Sequence, residues 1–527
     1  MKRRAFLTFA STTPTQLSSL PLAAWAPNNG EEWDYPTAAH LLRRTLTGPT
    51  DVEIRRAVDE GLDRTLQRLF TTFEPDWSEL SDFVGHDPLT SYGYTPDEPE
   101  WWVIFYRYRE WMHHLTRWYL KTQIGDQTSL QEKMTFFWHS HFAMELDNVC
   151  WPELMYEAIN TLRADCFGNV RELAWKITID LGMLQYLDGG VNRCFATWRE
   201  INENYARELL ELFTVGIYDR DGNPNYTQDD VAAAAHSLTG WMFAPSALGP
   251  LYSQLRSRFL EEAWDPSDKT FLGRTGPWNA RNIIDIIFEE RAEDVSWNIA
   301  SKLYEFFVSA EHDNAVIDAM ARMLRDNNWE VRPVVETLLR SAHFLGRAMH
   351  GGMVRPLADY FLGTIRTMGV TDVPDFHPDA KERTHSDLFR RLRTLGQLPL
   401  NPPNVKAWPG GRRWLSATTM SERIFWADRV VRRAMRDANG AESYSFDAIA
   451  FASSFPNPND ARELVDDIVR LLLPAQIDEA ERAGLLAELL DNGPIYEWSI
   501  DSPEQNPDAR IRKLLGAIVS HPNFQLT

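Results

Sequence analysis

The chain has 527 residues, 44% of them apolar and 24% charged, which is the balance of a folded globular protein. Lys plus Arg number 54 against 75 Asp plus Glu, a formal charge of −21 that argues against a surface built to neutralise nucleic-acid phosphates. The 20 Trp, 27 Phe and 16 Tyr supply rings for helix packing or for stacking on sugars, and composition does not separate the two uses.

Residues 1–26 carry Lys2, Arg3 and Arg4, no acidic residue, and two short apolar stretches interrupted by Ser11-Thr12-Thr13-Pro14-Thr15. This is the layout of a signal peptide, and the paired arginines before Ala5-Phe6-Leu7 resemble a twin-arginine signal. The apolar part is too short for a membrane span. Ala24-Trp25-Ala26 offers a small-x-small cleavage site, so the expectation is a periplasmic or secreted bacterial protein with a mature chain of residues 27–527. Twin-arginine resemblance implies folded cargo, often with an inserted cofactor. Three cysteines, Cys150, Cys166 and Cys194, permit at most one disulfide.

From residue 35 onward, apolar residues return every three or four positions. The pattern predicts helices over 38–46, 101–121, 130–146, 153–163, 203–213, 229–238, 283–290 and 295–307, then 334–339, 357–367, 421–435, 461–473 and 480–490. No sustained strand series appears. The fold class expected is mainly α, a single large multi-helix domain. Pro and Gly gather over 74–100, 244–280, 369–379 and 398–414, yet these stretches hold Trp77, Phe259, Trp264, Trp278 and Trp414, so they read as ordered loops rather than linkers.

Two helices concentrate chemistry. In Asn202-Glu203-Asn204-Tyr205-Ala206-Arg207-Glu208-Leu209-Leu210-Glu211, an α-helical register puts Asn204, Glu208 and Glu211 on one face, with Arg207 four residues from both Glu203 and Glu211. The stripe is either a buried site whose charges need partners or a solvated salt-bridge face. In the second, Glu132 and His139 share a face, as do His141 and Glu145, whereas His139 and His141 point about 200° apart. A His between Trp138 and Phe142 is either a packed core residue or a ligand, and Glu132 with His139 facing Glu208 and Glu211 would resemble a carboxylate–histidine metal site of a helical bundle. Thr227 is a natural N-cap for Asp229-Asp230. Asp265, Asp268 and Lys269 lie in a loop that suits either a turn or a substrate contact, and the rigid run Asn401–Gly411 aims Asn404, Lys406 and Trp408 at a pocket or plugs a bundle end. There is no Gly-x-Ser-x-Gly elbow, P-loop, Gly-x-Gly-x-x-Gly or His-Glu-x-x-His.

In order, Ala39-His40-Leu41-Leu42-Arg43-Arg44, Gly48-Pro49-Thr50, Leu130–Phe142, Met183–Gly189, Asn202–Phe213, Tyr226–Val231, Leu238-Thr239-Gly240-Trp241, Lys269–Gly273 and Pro402–Gly411 resemble the bacterial family named domain of unknown function 1800, over nearly the whole mature chain. The family pattern has a histidine, an arginine and a proline at three positions where this chain has Trp264, His236 and Ile201, respectively. The resemblance implies an exported, mainly helical protein, often encoded beside an exported sulfatase-like partner, and no assigned chemistry.

The leading expectation is an exported enzyme acting on an extracellular or envelope polymer such as a carbohydrate, with Glu203, Arg207 and Glu208 catalytic. Glu132, His139, His141 and Glu211 would hold a divalent metal, while Asn204, Trp241, Asn404, Lys406 and Trp408 bind substrate. Metal-activated water makes hydrolysis the first chemistry to consider and redox chemistry the second. The alternative is a non-catalytic envelope binding or assembly protein working with the sulfatase-like partner.

Overall fold

Asp34 begins the helical body: its carboxylate accepts the Thr37 N–H, and Pro36 occupies the first turn of α1 (Tyr35–Thr45). The computed structural model of the protein describes residues 21–27, 31–80, 101–125, 129–243, 257–370, 387–432 and 446–527. Residues 1–20, 81–100, 244–256 and 371–379, on which parts of the expected signal and loops fall, lie outside the described residues.

Four further elements position the site. They are α2 (Leu130–His141), α3 (Asn204–Glu208, running on into a π-helical turn Leu209–Phe213), α4 (Ala292–Phe307) and α5 (Leu357–Thr367). Ser129 caps α2, but the helix expected to reach residue 146 ends at His141, because Phe142 leaves helical geometry (φ −99°, ψ 63°). Thr227 caps the helix Gln228–Ser237 in a reciprocal box with Asp230, as expected, and the second Asp230 oxygen accepts the Leu272 N–H at 2.7 Å.

The other expected helices form within the described residues, 433–435 of the helix expected over 421–435 lying outside them, and Asp51–Leu69, Val170–Thr178, Asn314–Asp326 and Pro507–Val519 add to them. Strands among the described residues are three short antiparallel hairpins, 193–195 with 198–200, 241–243 with 257–259, and 269–271 with 274–276. The fold is mainly α, one large domain around a continuous apolar core. All three cysteines are free. No helix among the described residues is long and apolar enough to cross a membrane.

Two contacts fix the N-terminal half. Gly48 (φ 71°) lies against Gly363 of α5 so closely that an added Cβ would overlap the Gly363 backbone, and Arg366 clamps the junction by bonding Gly48 O and both Glu53 oxygens. Glu132, fully buried in α2, receives Arg163 Nε at 2.7 Å and Nη2 at 3.1 Å, with Gln123 Nε2 at 3.0 Å. The bidentate ion pair ties two helices, and the Gln123 bond adds a third.

The segment before α1 is also attached. Trp25 N–H donates to Arg340 O at 2.9 Å, Ala342 N–H donates to Ala23 O at 2.8 Å, and Leu22 and Trp25 pack on the core. The sequence-expected cut after Ala26 would remove these contacts.

This packing has two measurable consequences. A chain beginning at residue 27 should melt lower than one beginning at residue 21, by about 1–3 kcal/mol of lost burial, in paired denaturant titrations; equal stability would show that the segment contributes nothing. Glu132→Ala should cost about 3–5 kcal/mol by leaving the Arg163 charge buried, and the double change Glu132→Leu, Arg163→Met should recover most of it. A double variant no better than Glu132→Ala would refute the charge argument.

Candidate functional site

The π turn creates the site. Widening the helix at Leu209–Phe213 ends the regular ladder: Thr214 Oγ1 bonds back to Leu209 O at 2.6 Å, and the carbonyls of Leu212, Phe213 and Thr214 turn to groups outside the helix. Lys302 Nζ donates to Leu212 O at 2.6 Å, His141 Nε2 donates to Phe213 O at 3.0 Å, and Asn298 Nδ2 donates to Thr214 O at 2.6 Å. Asn298 and Lys302 are one turn apart on α4, and His141 is the last residue of α2. Three elements therefore meet at one row of carbonyls.

Beside this junction opens a cavity of about 340 Å³. Arg43 and Arg44 come from α1, Lys133, Phe136, Phe137 and His141 from α2, and Lys302, Glu305 and Phe306 from α4. Asp359 of α5 and the loop residues Lys406, Trp408 and Trp414 complete much of the wall. Trp408 stacks on Phe136 with centroids 4.9 Å apart and planes 17° apart, and Phe137 meets Phe306 edge-on at 5.4 Å. The Pro/Gly loop holds Trp408 there by backbone strain at Ala407 (φ 62°) and by the Ala407 N–H bond to Asn404 O.

Cations dominate the lining of an otherwise acidic protein. Lys133 is neutralised by Asp359 at 2.5 Å, and the exposed Lys406 meets Glu211 at 3.3 Å. Glu305 is engaged by His312 at 2.6 Å. Arg43, Arg44 and Lys302 have no carboxylate in ion-pair range among the described residues. Arg43 instead donates to Arg470 O and Leu471 O, and Arg44 to Val308 O and Met349 O, with Arg44 Nε unpartnered. Burial therefore lowers the Arg43 guanidinium to about 10 and Arg44 to about 9, Asp359 partly opposing the latter. Burial also brings the Lys302 ammonium down to about 8, against a partial opposing pull from Glu305. His141 is held neutral, well below the usual histidine value, by burial and then by the Lys302 charge.

The sequence-expected residues divide between this cleft and other places. Lys406, Trp408 and His141 line it, with Glu211 at its edge through Lys406. Glu208 is half-buried beside them, its carboxyl pushed up by burial and by Glu211, with Oε2 unpartnered. Asn404 shapes the loop turn, accepting the Lys406 N–H at 2.9 Å. Glu203 and Arg207 form a half-exposed pair at 3.0 Å, both joined to Gln228, and Asn204 is exposed at the helix start. This is the solvated-face arrangement for those three residues. Trp241 stands on the 241–243 strand against Trp175 and Phe259 at 5.7 and 5.6 Å, and does not share the cleft with Trp408.

The expected metal set is not brought together. Glu132 has both oxygens on Arg163, His141 is committed to Phe213 O and Lys302, and Glu211 meets Lys406. His139 is fully buried against Trp408, and neither ring nitrogen has a partner. Among the described residues no group of three or more His, Cys, Asp or Glu is arranged to hold a metal ion. The four residues do not fit a metal as a set: Glu132, His141 and Glu211 are already engaged by groups on different elements, and His139 stands apart against Trp408.

Sequence reasoning passed over Lys302, and used Arg43, Arg44 and Lys133 only as motif letters. A usable signal for Lys302 was the stripe Asn298, Lys302 and Glu305 at i, i+4 and i+7 in a helix whose other face is apolar. Two of the departures from the family pattern, Trp264 and His236, meet at Asp265, which is buried. His236 Nδ1 lies 2.6 Å from Asp265 Oδ2, and Lys269 donates to Asp265 O while lying over Trp264. Burial alone would raise the Asp265 carboxyl, but bonds from Ser267 and His236 hold it at about 2.

His139→Leu should be neutral or stabilising, within about 1 kcal/mol, since it removes two unpartnered buried nitrogens. Burial depresses the His139 ring to about 3. Its contribution is complete above the unfolded value near 6.5 and is lost as pH falls toward 3, because only the unfolded chain takes up the proton. His139→Leu should therefore flatten the acid limb of the stability–pH curve, and an unchanged limb would contradict the assignment.

Comparison with known proteins adds the family and nothing finer. No curated protein matches the chain, and no solved structure matches it. A family model described as "Protein of unknown function (DUF1800)" matches residues 40–526, which include every residue of the cleft named above and extend through the π turn and the Pro/Gly loop. The chain belongs to the DUF1800 family.

Proposed function

We propose that this is an exported protein whose cleft binds an anionic, ring-bearing ligand, specifically an acidic saccharide unit of an extracellular or envelope polymer. The observation that carries the reading is the pairing of Arg43, Arg44 and Lys302, none of them neutralised by a carboxylate among the described residues, with the ring wall of Trp408, Phe136 and Phe306. Buried guanidinium groups held by carbonyls keep their charge available to a ligand anion, and that anion restores the Coulomb energy lost on desolvation. Rings take the apolar faces of a pyranose. The volume falls within the range of small-ligand sites, ~300–1,000 Å³.

The acidic body matters too. At a formal charge of −21 it repels polyanions from most of its surface, so an anionic ligand is favoured where the local sign reverses. Twin-arginine-like residues 1–26 support export, which would put the protein where acidic polysaccharides are found. A metal-dependent hydrolase draws no support from this geometry, since Glu132, His141 and Glu211 are engaged elsewhere and His139 stands apart from them. The non-catalytic alternative is favoured by one observation: His141 and Lys302 already have a structural task at the π turn. In that case the cleft would hold a polymer for the sulfatase-like partner.

Calorimetric titration with an oligogalacturonide and with a neutral maltooligosaccharide of equal length tests the reading. The acidic ligand should bind at least tenfold more tightly, about 1.4 kcal/mol, and the difference should shrink as salt rises. Lys406→Glu should weaken the acidic ligand alone. Equal affinities, or no binding of either, would refute the proposal.

A further inference from the structure

Lys302 is placed as a reacting group. His141 Nε2 is 3.0 Å from Phe213 O and must carry its proton there, so Nδ1 is an acceptor, and Lys302 Nζ lies 3.2 Å from it. The same Nζ is 2.6 Å from Leu212 O. A neutral amine has two protons, and both are taken by these two acceptors. Its lone pair is left for the remaining tetrahedral direction, and the side chain lines the cavity. Loss of the third ammonium proton therefore breaks no internal bond. The fixed tautomer of His141 and the π-turn carbonyl orient the amine as a base, a geometry that a lysine serving only as a helix cap does not require.

From this arrangement we propose that Lys302 is the base of a β-elimination that cleaves a uronate-containing polysaccharide in the cleft, an inference that rests on the acidic-saccharide reading. Lys302 takes the proton from the carbon next to the uronate carboxylate. The C–H electron pair becomes the C4–C5 double bond, and the C4–O glycosidic bond breaks with its own pair leaving on oxygen. That oxygen takes up a proton, delivered by the Lys302 ammonium or by water, so the amine is restored and no oxidant, reductant or net water is consumed. Arg43 and Arg44 hold the carboxylate, and their charge stabilises the enediolate that develops as the proton leaves. Arg44 reaches the carbonyl of Val308, the residue that caps α4, about 9 Å of backbone rise beyond Lys302, and both side chains line the same cleft.

The electrostatics suit proton abstraction near neutral to mildly alkaline pH. The charged and titratable groups that share the cleft with Lys302 are His141, which is neutral, Glu305, which is drawn to His312, Arg43, Arg44, the Lys133–Asp359 pair and Lys406 at the rim. With Lys302 near 8, a substantial fraction of the amine is free base at pH 8.

The test uses the full chain with galacturonate, mannuronate and glucuronate oligomers, measuring binding by calorimetry and products by mass spectrometry and the ultraviolet absorbance of the unsaturated uronate. At least one oligomer should yield fragments whose masses sum to that of the substrate, at a rate that rises with pH and levels off above about 8. Lys302→Arg keeps the charge and the donors to Leu212 O but has no accessible free base. It should lose at least ~100-fold in rate while binding within about threefold of wild type. Binding without cleavage, or fragments carrying an added water, would overturn the elimination and leave the acidic-saccharide site standing. Failure of every oligomer to bind would remove both. A Lys302→Arg variant that cleaves at the wild-type rate would also overturn the assignment.

Discussion

Three backbone carbonyls with no place in a helix organise this molecule. The π turn Leu209–Phe213 leaves the oxygens of Leu212, Phe213 and Thr214 without intrahelical donors, and a buried carbonyl without a partner costs about 1–3 kcal/mol. Lys302, His141 and Asn298 supply the donors, and that requirement brings the end of α2 and the middle of α4 to the same point on α3. The cleft beside them is a consequence: helices brought together at this polar point leave space where their side chains diverge. An ordinary α-helical continuation of α3 would satisfy its own carbonyls and release both neighbours.

The second constraint is charge. Burying a cation costs several kcal/mol unless hydrogen bonds or a counterion offset it, and the chain resolves this in two ways. Arg163 receives the Glu132 carboxylate, which closes the pair and makes it structural. Arg43 and Arg44 receive only carbonyl oxygens, which satisfy donors without cancelling charge. The difference separates charges that cancel within the fold from charges that stay uncancelled in the cleft wall. It also explains why the most conspicuous charged motif is not the richest in available charge: Glu203 and Arg207 neutralise each other at a half-exposed surface, where such pairs are worth about 0–1 kcal/mol.

Much of the fold was legible in residue spacing. Apolar periodicity located most helices, and Thr227 with Asp230 did at the helix start what their chemistry indicated. Periodicity failed where local geometry departs from 3.6 residues per turn. The α-helical face assigned to Asn204, Glu208 and Glu211 does not extend through the π turn, and α2 stops at His141 because its last side chains serve tertiary partners. For the site, Lys406, Trp408 and His141 were visible within motifs, whereas Lys302 sits in a segment whose apolar pattern suggested only packing. Glu132 and Trp241 lie outside the cleft for one reason: a chemically capable side chain says nothing of which partner reaches it first.

The sequence by itself determined the class of this protein: an acidic, mainly helical chain of the DUF1800 family, because periodicity, capping residues and ordered motifs are properties of neighbours along the chain. Tertiary structure alone decided which charges cancel and which face a cavity. Those outcomes depend on contacts such as Arg163 with Glu132, 31 residues apart, and Lys302 with Leu212, 90 residues apart. A carboxylate beside one guanidinium and a carbonyl beside another are equivalent in composition. The first leaves a neutral brace within the core, and the second leaves a positive charge in the cleft wall.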